Sequence, residues 1–387
     1  MNMLVIGGRL QGAEIAFLGK EAGFQVTVLD REQEVLASQL GDAFVQINLQ
    51  EATPGLFAGY DLVFPATENL ETLQLARKLA EEAGLPFLFD EQAFYLTRSK
   101  TKTNRFLQDI GVRTPPALCA ELSDIAPLFG SRRFIVKPDK KSGSKGVCCF
   151  CDKAAALAYL DNHEDCFGQV FLEGPLYSVE VICDKTHVTP FAVTEVVVEA
   201  SFDSHRIIAP AVLSVEIISE IQSLASQIGR ALRMKGIFDV ELVLHDSRLY
   251  VLELDARMPS QTPLAVYYAT GVNFVSALAA CFLGSGDAGL PNADGGVKGA
   301  DTRVVLQHVY RDNRKKTIEL IGEGRLLAAP PLIRADGFCG ADVALVSNSA
   351  ESTYATLLTL AETHSAAEDK MERVLETLKS REGANHV

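Results

Sequence analysis

The stretch GIFDVELVLHDSRLYVLELDARMP, residues 236–259, constrains the fold more tightly than any other part of the chain. Two apolar runs of strand length flank a short polar turn, His245 to Arg248, and together they read as an antiparallel hairpin. Side chains alternate across a strand with a period of two. Asp239 and Glu241 therefore share one face of the first strand, and Glu253, Asp255 and Arg257 share one face of the second. The turn then brings Glu241 close to Glu253. Carboxylates gathered beside apolar residues repel one another unless a divalent cation joins them. Mg2+ suits such a set, because it needs few protein carboxylates and keeps its other positions for water and phosphate oxygens. A solvent-facing sheet with its polar residues outside is the competing reading. It accounts for the alternation, but not for Arg257 running straight into MPSQTP.

A chain of 387 residues with 48% hydrophobic content supports two or three cored domains, and 22% charged residues is ordinary for a folded protein. The formal charge of −14 argues against general nucleic-acid binding, which selects clustered Lys and Arg. It leaves room for a nucleotide held in a local cationic pocket. No apolar run reaches the length of a membrane span, so no membrane partner is expected. The start, MNMLVIGGRLQG, has no basic leader region and reads as a first strand, which points to a cytoplasmic protein. The eight cysteines are scattered apart from Cys148, Cys149 and Cys151. With no second ligand pair nearby, these three read as small strand residues in a reducing compartment.

MLVIGG, RLQGAEIAFLGKEAG and FQVTVLD spell strand, glycine turn, helix and strand, one βαβ unit. DLVFPATENLETLQLARKLAEEAGLPFLF repeats the pattern, so a parallel α/β domain is expected over residues 1–95. The basic helix of SKTKTNRFLQDIGVRTPP, stopped by Gly111 and the Pro115–Pro116 pair, opens a second domain over 96–284. There, strands at short spacing are interrupted by the helix SVEIISEIQSLASQIGRALRM and followed by the helical NFVSALAACFLGSG. The Gly- and Asp-rich GDAGLPNADGGVKGAD reads as a linker into a mixed C-terminal region, 285–387. The expected fold class is α/β followed by α+β.

Lys137 ends the apolar strand FIVK, a costly place for an ammonium without an anion. The loop behind it offers Ser142, Gly143, Ser144 and Gly146, whose backbone N–H groups suit phosphates. It is not a Walker A motif, and a solvated hairpin turn is the alternative. Lys100, in SKTK, is a second candidate cation or is simply exposed. The turn GGRLQG, with Asp30 closing the next strand, permits a dinucleotide reading. Its spacing is not GxGxxG, however, and Arg9 and Gln11 crowd it. The helix start can still receive an anionic or polar ligand.

Two lysines, a glycine-rich loop, paired acids and an arginine form an inventory for phosphoryl transfer without a Walker motif. Their order resembles the ATP-grasp superfamily of carboxylate–amine ligases over nearly the whole chain. That resemblance implies a pre-ATP-grasp domain over 1–95 and an ATP-grasp domain over 96–284, with a flap subdomain at about 117–183. It implies that Lys100 and Lys137 meet the phosphates of ATP beneath a flap built from Ser142, Gly143, Ser144 and Gly146. Glu241, Glu253 and Asp255 match the carboxylates that hold two Mg2+ ions, with Asp255 standing where the superfamily usually has Asn. Lys137 and Arg257 match the catalytic cations, Arg257 being the one that steadies the acyl phosphate.

Within the superfamily, GGRLQG, TENL (Thr67–Leu70) and LDARMPSQTPLAVYYATGVN are most similar to the pyrrolysine-biosynthesis ligases, which join 3-methyl-D-ornithine to the ε-amine of L-lysine. The resemblance implies those two substrates, nucleotide contacts from Leu10, Gln11 and Gln169, and substrate contacts from Glu68, Asn69, His205, Ser260, Gln261 and Thr262. Leu176 stands where many members have a ribose-binding Glu. A homodimer through the C-terminal region is a further expectation. The alternatives are an ATP-grasp ligase for another pair, such as a dipeptide ligase or a purine-pathway carboxylase, and an NAD-dependent oxidoreductase.

Overall fold

The computed structural model describes residues 1–118, 133–284 and 302–381. The linker expected at GDAGLPNADGGVKGAD and part of the expected flap span lie outside the described residues. In the N-terminal part, β1 (Asn2–Ile6), α1 (Leu10–Glu21), β2 (Gln25–Asp30), β3 (Ala43–Gln46), β4 (Leu62–Pro65) and α2 (Leu70–Glu82) build a parallel sheet in the order β3-β2-β1-β4. β1 is buried without alternation because both its faces are covered. Met3 and Val5 enter the core beneath α1, while Leu4 and Ile6 enter the core beneath α2. The strand expected at PFLF reduces to a single bridge, Val63 to Phe87. The chain turns away there because Asp90 caps α3 (Glu91–Thr97), accepting from the Ala93 N–H at 3.0 Å. α4 (Lys100–Asp109) follows, capped by Ser99 and ended at Gly111 with φ 75°.

β5 (Phe134–Pro138), β6 (Cys148–Phe150), α5 (Lys153–Asp161) and β7 (Cys166–Val170) form a small layer with strand order β6-β5-β7. Beneath it runs a ten-stranded antiparallel sheet. Its first strands are β8 (Leu176–Asp184), β9 (Val188–Val198), β10 (Ser204–Ala209), β11 (Lys235–His245) and β12 (Arg248–Asp255), with α6 (Val215–Leu232) packed on β8 and β9. α7 (Thr262–Thr270) and α8 (Phe274–Leu283) follow the hairpin. The remaining strands are β13 (Arg303–Asp312), β14 (Thr317–Leu320), β15 (Ile333–Arg334), β16 (Val343–Asn348) and β17 (Ser352–Ala361), with the short α9 (Glu323–Leu326) and the closing α10 (His364–Ser380). The path is β12-β11-β8-β9-β10-β13-β17-β16-β15, so the C-terminal strands join the same sheet at the β10–β13 seam.

The helix α7 has no counterpart in the sequence reading. TPLAVYYAT is apolar on nearly every side, so it shows no helical stripe, and it is buried on nearly every side as well. α7 and α8 pack with α1 in one core that includes Leu10, Phe17, Leu264 and Phe274. Asn273 Nδ2 also donates to Leu18 O at 2.7 Å, tying α8 to α1. Among the described residues no single helix is long and apolar enough to cross a membrane.

Candidate active site

Three neighbouring strands place acids in two rows across the floor of a cleft. In one row Ser178, Glu241 and Glu253 stand opposite one another on β8, β11 and β12; in the next, Glu180, Asp239 and Asp255 do. The pairing of β11 with β12 shifts after Glu241, leaving Leu252 beside Glu253 on the wall of the same cavity. Like charges facing each other across strands, about 5 Å apart, repel by roughly 3 kcal/mol at an effective dielectric near 20. Cations must therefore stand nearby.

They do. Lys100, at the start of α4, is buried and places Nζ 2.7 Å from Glu253 Oε1; Lys137, at the end of β5, places Nζ 3.9 Å from Oε2 of the same residue. Arg257 Nη2 lies 3.1 Å from Asp255 and 3.0 Å from Glu68, which reaches over from the N-terminal domain. Burial works against the charge on Lys100, but the Glu253 carboxylate outweighs it and holds the ammonium above its usual range. For Lys137 burial wins, and its ammonium falls below the usual range. Arg257 is raised, since Asp255 and Glu68 outweigh its own desolvation. Burial works against the charge on Glu68 too, but Arg257, with the Ser142 hydroxyl and then Lys145 and Lys100, outweighs it and holds the carboxyl below its usual value.

The acids respond in the opposite sense. Desolvation, with Glu253 and Asp255 next, pushes Glu241 up to about 7, although its side chain still presents surface to the open cleft. The packed protein around it removes most of its hydration even so. Desolvation raises Asp255 to about 7 as well, against the pull of Arg257, and holds Asp239 well above its usual range.

The loop between β5 and β6 is rooted on α4: Asp139 accepts from Ser99 Oγ at 2.7 Å and from the Thr101 N–H at 2.8 Å. Gly143, Ser144 and Gly146 have φ of 61°, 53° and 82°, a run of left-handed backbone that folds the loop over the cleft. Ser142 Oγ donates to Glu68, and Ser144 Oγ donates to Phe202 O at 2.7 Å. Under the loop lies a cavity of about 220 Å³, with Lys137 and the four acids Asp239, Glu241, Glu253 and Asp255 at one end. Buried Gln169 lines it with Phe171, Leu172 and Leu176, an apolar slot of the kind a purine ring fills.

A second cavity, of about 540 Å³, opens between the glycine turn and the hairpin. It is lined by Leu10, Gln11, Glu68 and Asn69, and shares Arg257, Ser260 and Glu323 with the first cavity. Leu10 and Gln11 thus stand apart from the Lys137–Gln169 cavity. Gln11 Nε2 donates to Met258 O, which fastens the glycine turn to the end of the catalytic strand. Asp30, the acid a dinucleotide reading gives to a ribose, instead accepts from the Gly8 N–H at 2.7 Å and the Glu32 N–H at 3.0 Å.

Residues 97–261 match the ATP-grasp domain family. Over 286 residues the chain is 34% identical to the 3-methyl-D-ornithine–L-lysine ligase of Methanosarcina mazei, covering 73% of this chain and 72% of that one. It is likewise 34% identical over 285 residues to the ligase of the same name from Methanosarcina acetivorans, covering 73% of each. The chain belongs to the ATP-grasp ligase family. It is an ATP-dependent carbon–nitrogen ligase. The fold agrees throughout its length. An N5-carboxyaminoimidazole ribonucleotide synthetase in complex with ADP superposes with a TM-score of 0.70 at 16% identity over 98% of both chains. The biotin carboxylase domain dimer of Hydrogenobacter thermophilus 2-oxoglutarate carboxylase, bound to MgADP, does so at 0.71 and 17%, over 97% of this chain and 89% of that one.

Several ligase residues expected at the substrate act as braces. Asn69 Oδ1 caps α2, accepting from the Thr72 N–H at 2.9 Å. Gln261, at φ 72°, is buried, and its N–H donates to both oxygens of Glu14, at 2.7 and 2.8 Å. Thr262 is buried as the first residue of α7, and with Ser260 and Gln261 it lines the smaller cavity. His205 lines neither cavity; it turns toward Gln307, whose Nε2 lies 3.2 Å from its Nδ1.

Conversely, Glu14, Glu180 and Glu323 sit in or beside the cleft although the sequence reading assigned none of them to the site, and Asp239, grouped there with the strand acids but given no ligand role, lines it as well. Glu180, in YSVEVIC, carries the same signal as Glu253, an acid on an alternating apolar strand. Glu14 and Glu323 carry no such signal, because chain folding alone brings them in.

Among the described residues no three His, Cys, Asp or Glu side chains are arranged as a ready metal-holding group; Lys100 and Arg257 engage Glu253 and Asp255 instead. The donor chemistry nonetheless fits Mg2+. The groups are hard carboxylate oxygens, two of the carboxyls are raised to about 7, and buried Asp239 Oδ1 has no hydrogen-bond partner.

Proposed function

We propose that the protein joins the carboxylate of 3-methyl-D-ornithine to the ε-amine of L-lysine, consuming ATP and passing through an acyl phosphate, as a cytoplasmic enzyme of pyrrolysine biosynthesis. The observation that carries this reading is Arg257, which stands on the wall shared by the two cavities with Asp255 on one side and Glu68 on the other. The slot around Gln169 takes the adenine, and Lys100, Lys137 and the 142–146 loop hold the phosphates. Glu241, Glu253 and Asp255 would hold two magnesium ions, which when bound neutralise phosphate charge. The amino acids enter the larger cavity, where Glu68 and Ser260 meet their polar groups.

Within that arrangement Arg257 takes up the charge that develops as the γ-phosphoryl reaches the carboxylate. The neutral amine nitrogen then attacks the acyl carbon; the C–N bond forms as the C–O bond to phosphate breaks, phosphate leaves, and the nitrogen gives up one proton to solvent. Names shared with the Methanosarcina ligases at 34% identity support the substrate pair. The dimeric Hydrogenobacter relative supports a homodimer, which light scattering in solution checks.

The decisive experiment supplies ATP, Mg2+, 3-methyl-D-ornithine and L-lysine, and follows ADP by coupled assay and the condensed product by mass spectrometry. ADP release that requires both amino acids, with product at the mass of their sum less one water, is the expected result. Turnover only with other carboxylate–amine pairs overturns the substrate assignment.

A further inference from the structure

Cys148, Cys149, Cys151 and Cys166 all belong to the small layer β6-β5-β7 that covers the cleft. Residues paired across neighbouring strands share a face, so the register sorts these thiols. Cys148 pairs with Val136, and Cys166 pairs with Pro138. Val136 and Cys166 share a core with Ala156 and Leu160 of α5, and Tyr159 of α5 meets Cys148. Packing accounts for that pair.

Cys149 lies on the opposite face. It pairs with Ile135, which pairs in turn with Gln169. Ile135, Gln169 and Val147, just before β6, all line the smaller cavity. Cys149 therefore stands on the cleft side of the layer, on its edge strand, beside a wall of the slot. Cys151 follows two residues later on the same side, close enough that its charge bears on the Cys149 thiol. Arg133 bears on that thiol too, and its guanidinium sits 4.1 Å over the ring of Phe171, another residue of the slot. Both Cys149 and Cys151 are exposed. Cysteine is among the most buried residue types, so packing gives no reason for two exposed thiols at this rim. Two residues of strand span about 6.6 Å, within the reach of a disulfide, and the chain bends at Cys151.

Resting on the placement of adenine around Gln169, we propose that Cys149 and Cys151 form a thiol–disulfide exchange site for low-molecular-weight disulfides at the mouth of the nucleotide slot. The Cys149 thiolate attacks one sulfur of the disulfide RSSR. That S–S bond breaks, one RSH leaves, and a mixed disulfide remains on Cys149. Cys151 then attacks the Cys149 sulfur, expels the second RSH and leaves a Cys149–Cys151 bond. The protein thiols give up two electrons and two protons, and the two RSH carry them. While the adduct stands beside Ile135 it fills space that the purine needs, so adduct and nucleotide exclude one another. Burial lifts the Cys149 thiol above its ordinary value, with Arg133 working against it, so the exchange quickens as pH rises.

The test treats the full-length wild type, Cys151→Ser and Cys149→Ser with oxidised glutathione at about pH 8.5, where thiolate is more abundant, with and without MgADP. Peptide mass spectrometry reads each site. Wild type is expected to end with a Cys149–Cys151 link, two hydrogens lighter, whereas Cys151→Ser stops at a glutathione adduct on Cys149. MgADP at about ten times its Kd should slow reaction at Cys149 roughly 10-fold, as exclusive binding requires. Rates at Cys148 and Cys166, on the other face, should not change. By calorimetry the adducted Cys151→Ser protein should lose MgADP affinity by at least about 10-fold and regain it with dithiothreitol. Cys149→Ser should bind MgADP like the wild type before and after treatment. Equal rates at Cys149 with and without bound MgADP, equal protection of all four cysteines, a wild-type product lacking the link, or an adducted protein that still binds MgADP each overturns the proposal. Reduced wild type that binds no MgADP overturns the nucleotide reading and the proposal with it, whereas binding without protection overturns the proposal alone.

Discussion

Lys100 Nζ and Glu253 Oε1 lie 2.7 Å apart, so the ammonium that opens α4 and a carboxylate of β12 neutralise one another where phosphates are to bind. Lys137 stands behind at 3.9 Å, too buried to hold its proton as firmly. Replacing Lys100 with Met therefore removes the better-charged of the two cations. Lys100→Met is expected to lower kcat/KM for ATP by at least about 100-fold, read by ADP release, and to cost about 1–3 kcal/mol of stability because Glu253 loses its nearer partner. An unchanged kcat/KM would remove Lys100 from the site.

The raised carboxyls make stability depend on pH with a definite sign. A carboxyl whose native pKa lies above its unfolded value favours the native state below the unfolded value, and that contribution is lost as pH rises through the native one. For Glu180 and Glu241 the values are 4.5 and about 7, and for Asp255 they are 3.8 and about 7. Glu68 and Asp184, held low, act in the opposite sense only in the acid range, and buried His308, held down to about 3 from 6.5, opposes the fall up to about pH 6.5 as one group against three. The melting temperature of ligand-free protein should fall between about pH 5 and pH 7.5, and the fall should shrink when Mg2+ and ADP neutralise the acids. A flat profile, or one that ligands leave unaltered, would contradict the shifts.

The hairpin was legible because alternation is local. A period of two fixes which residues share a face; the turn alone sets Glu241 opposite Leu252, and the bulge after Glu241, which the sequence does not announce, puts Glu253 in that place. The glycine turn and the two lysines were legible as types, but their destinations were not. Nothing in SKTK says that Lys100 is buried against Glu253, and nothing in GGRLQG says that Leu10 and Gln11 line the cavity away from Gln169. α7 escaped notice because a helix buried on most sides has no stripe. His205 was placed by loop position alone, and the strand β10 carries it to Gln307.

Glu68 ties three parts together, since it meets Arg257 of the hairpin and Ser142 of the flap loop from the N-terminal domain. Glu68→Ala frees the loop on one side while Ser144 still holds Phe202. Trypsin should then cut faster at Lys140, Lys141 and Lys145, because loop opening governs cleavage, and turnover should fall by roughly 10-fold. Cleavage at the wild-type rate would show that the loop is held elsewhere.

Glu14 separates a hydrogen-bonding role from an ionic one. Its carboxyl is buried on α1 and receives the Gln261 N–H, which belongs to a residue in left-handed backbone at the start of α7. Burial, against that N–H and with Glu323 adding, pushes it up to about 8, so near neutrality it is mostly protonated and resembles a glutamine. Glu14→Gln should accordingly match the wild type in urea denaturation at about pH 7, whereas Glu14→Ala orphans a buried N–H and should cost about 2–4 kcal/mol. At about pH 9 the wild type must ionise a buried group and loses the contribution it had below its native pKa. There the Gln variant should be the more stable of the two. Equal destabilisation by Gln and Ala at neutral pH would mean that Gln261 needs the charge, and that Glu14 is ionised in the folded protein.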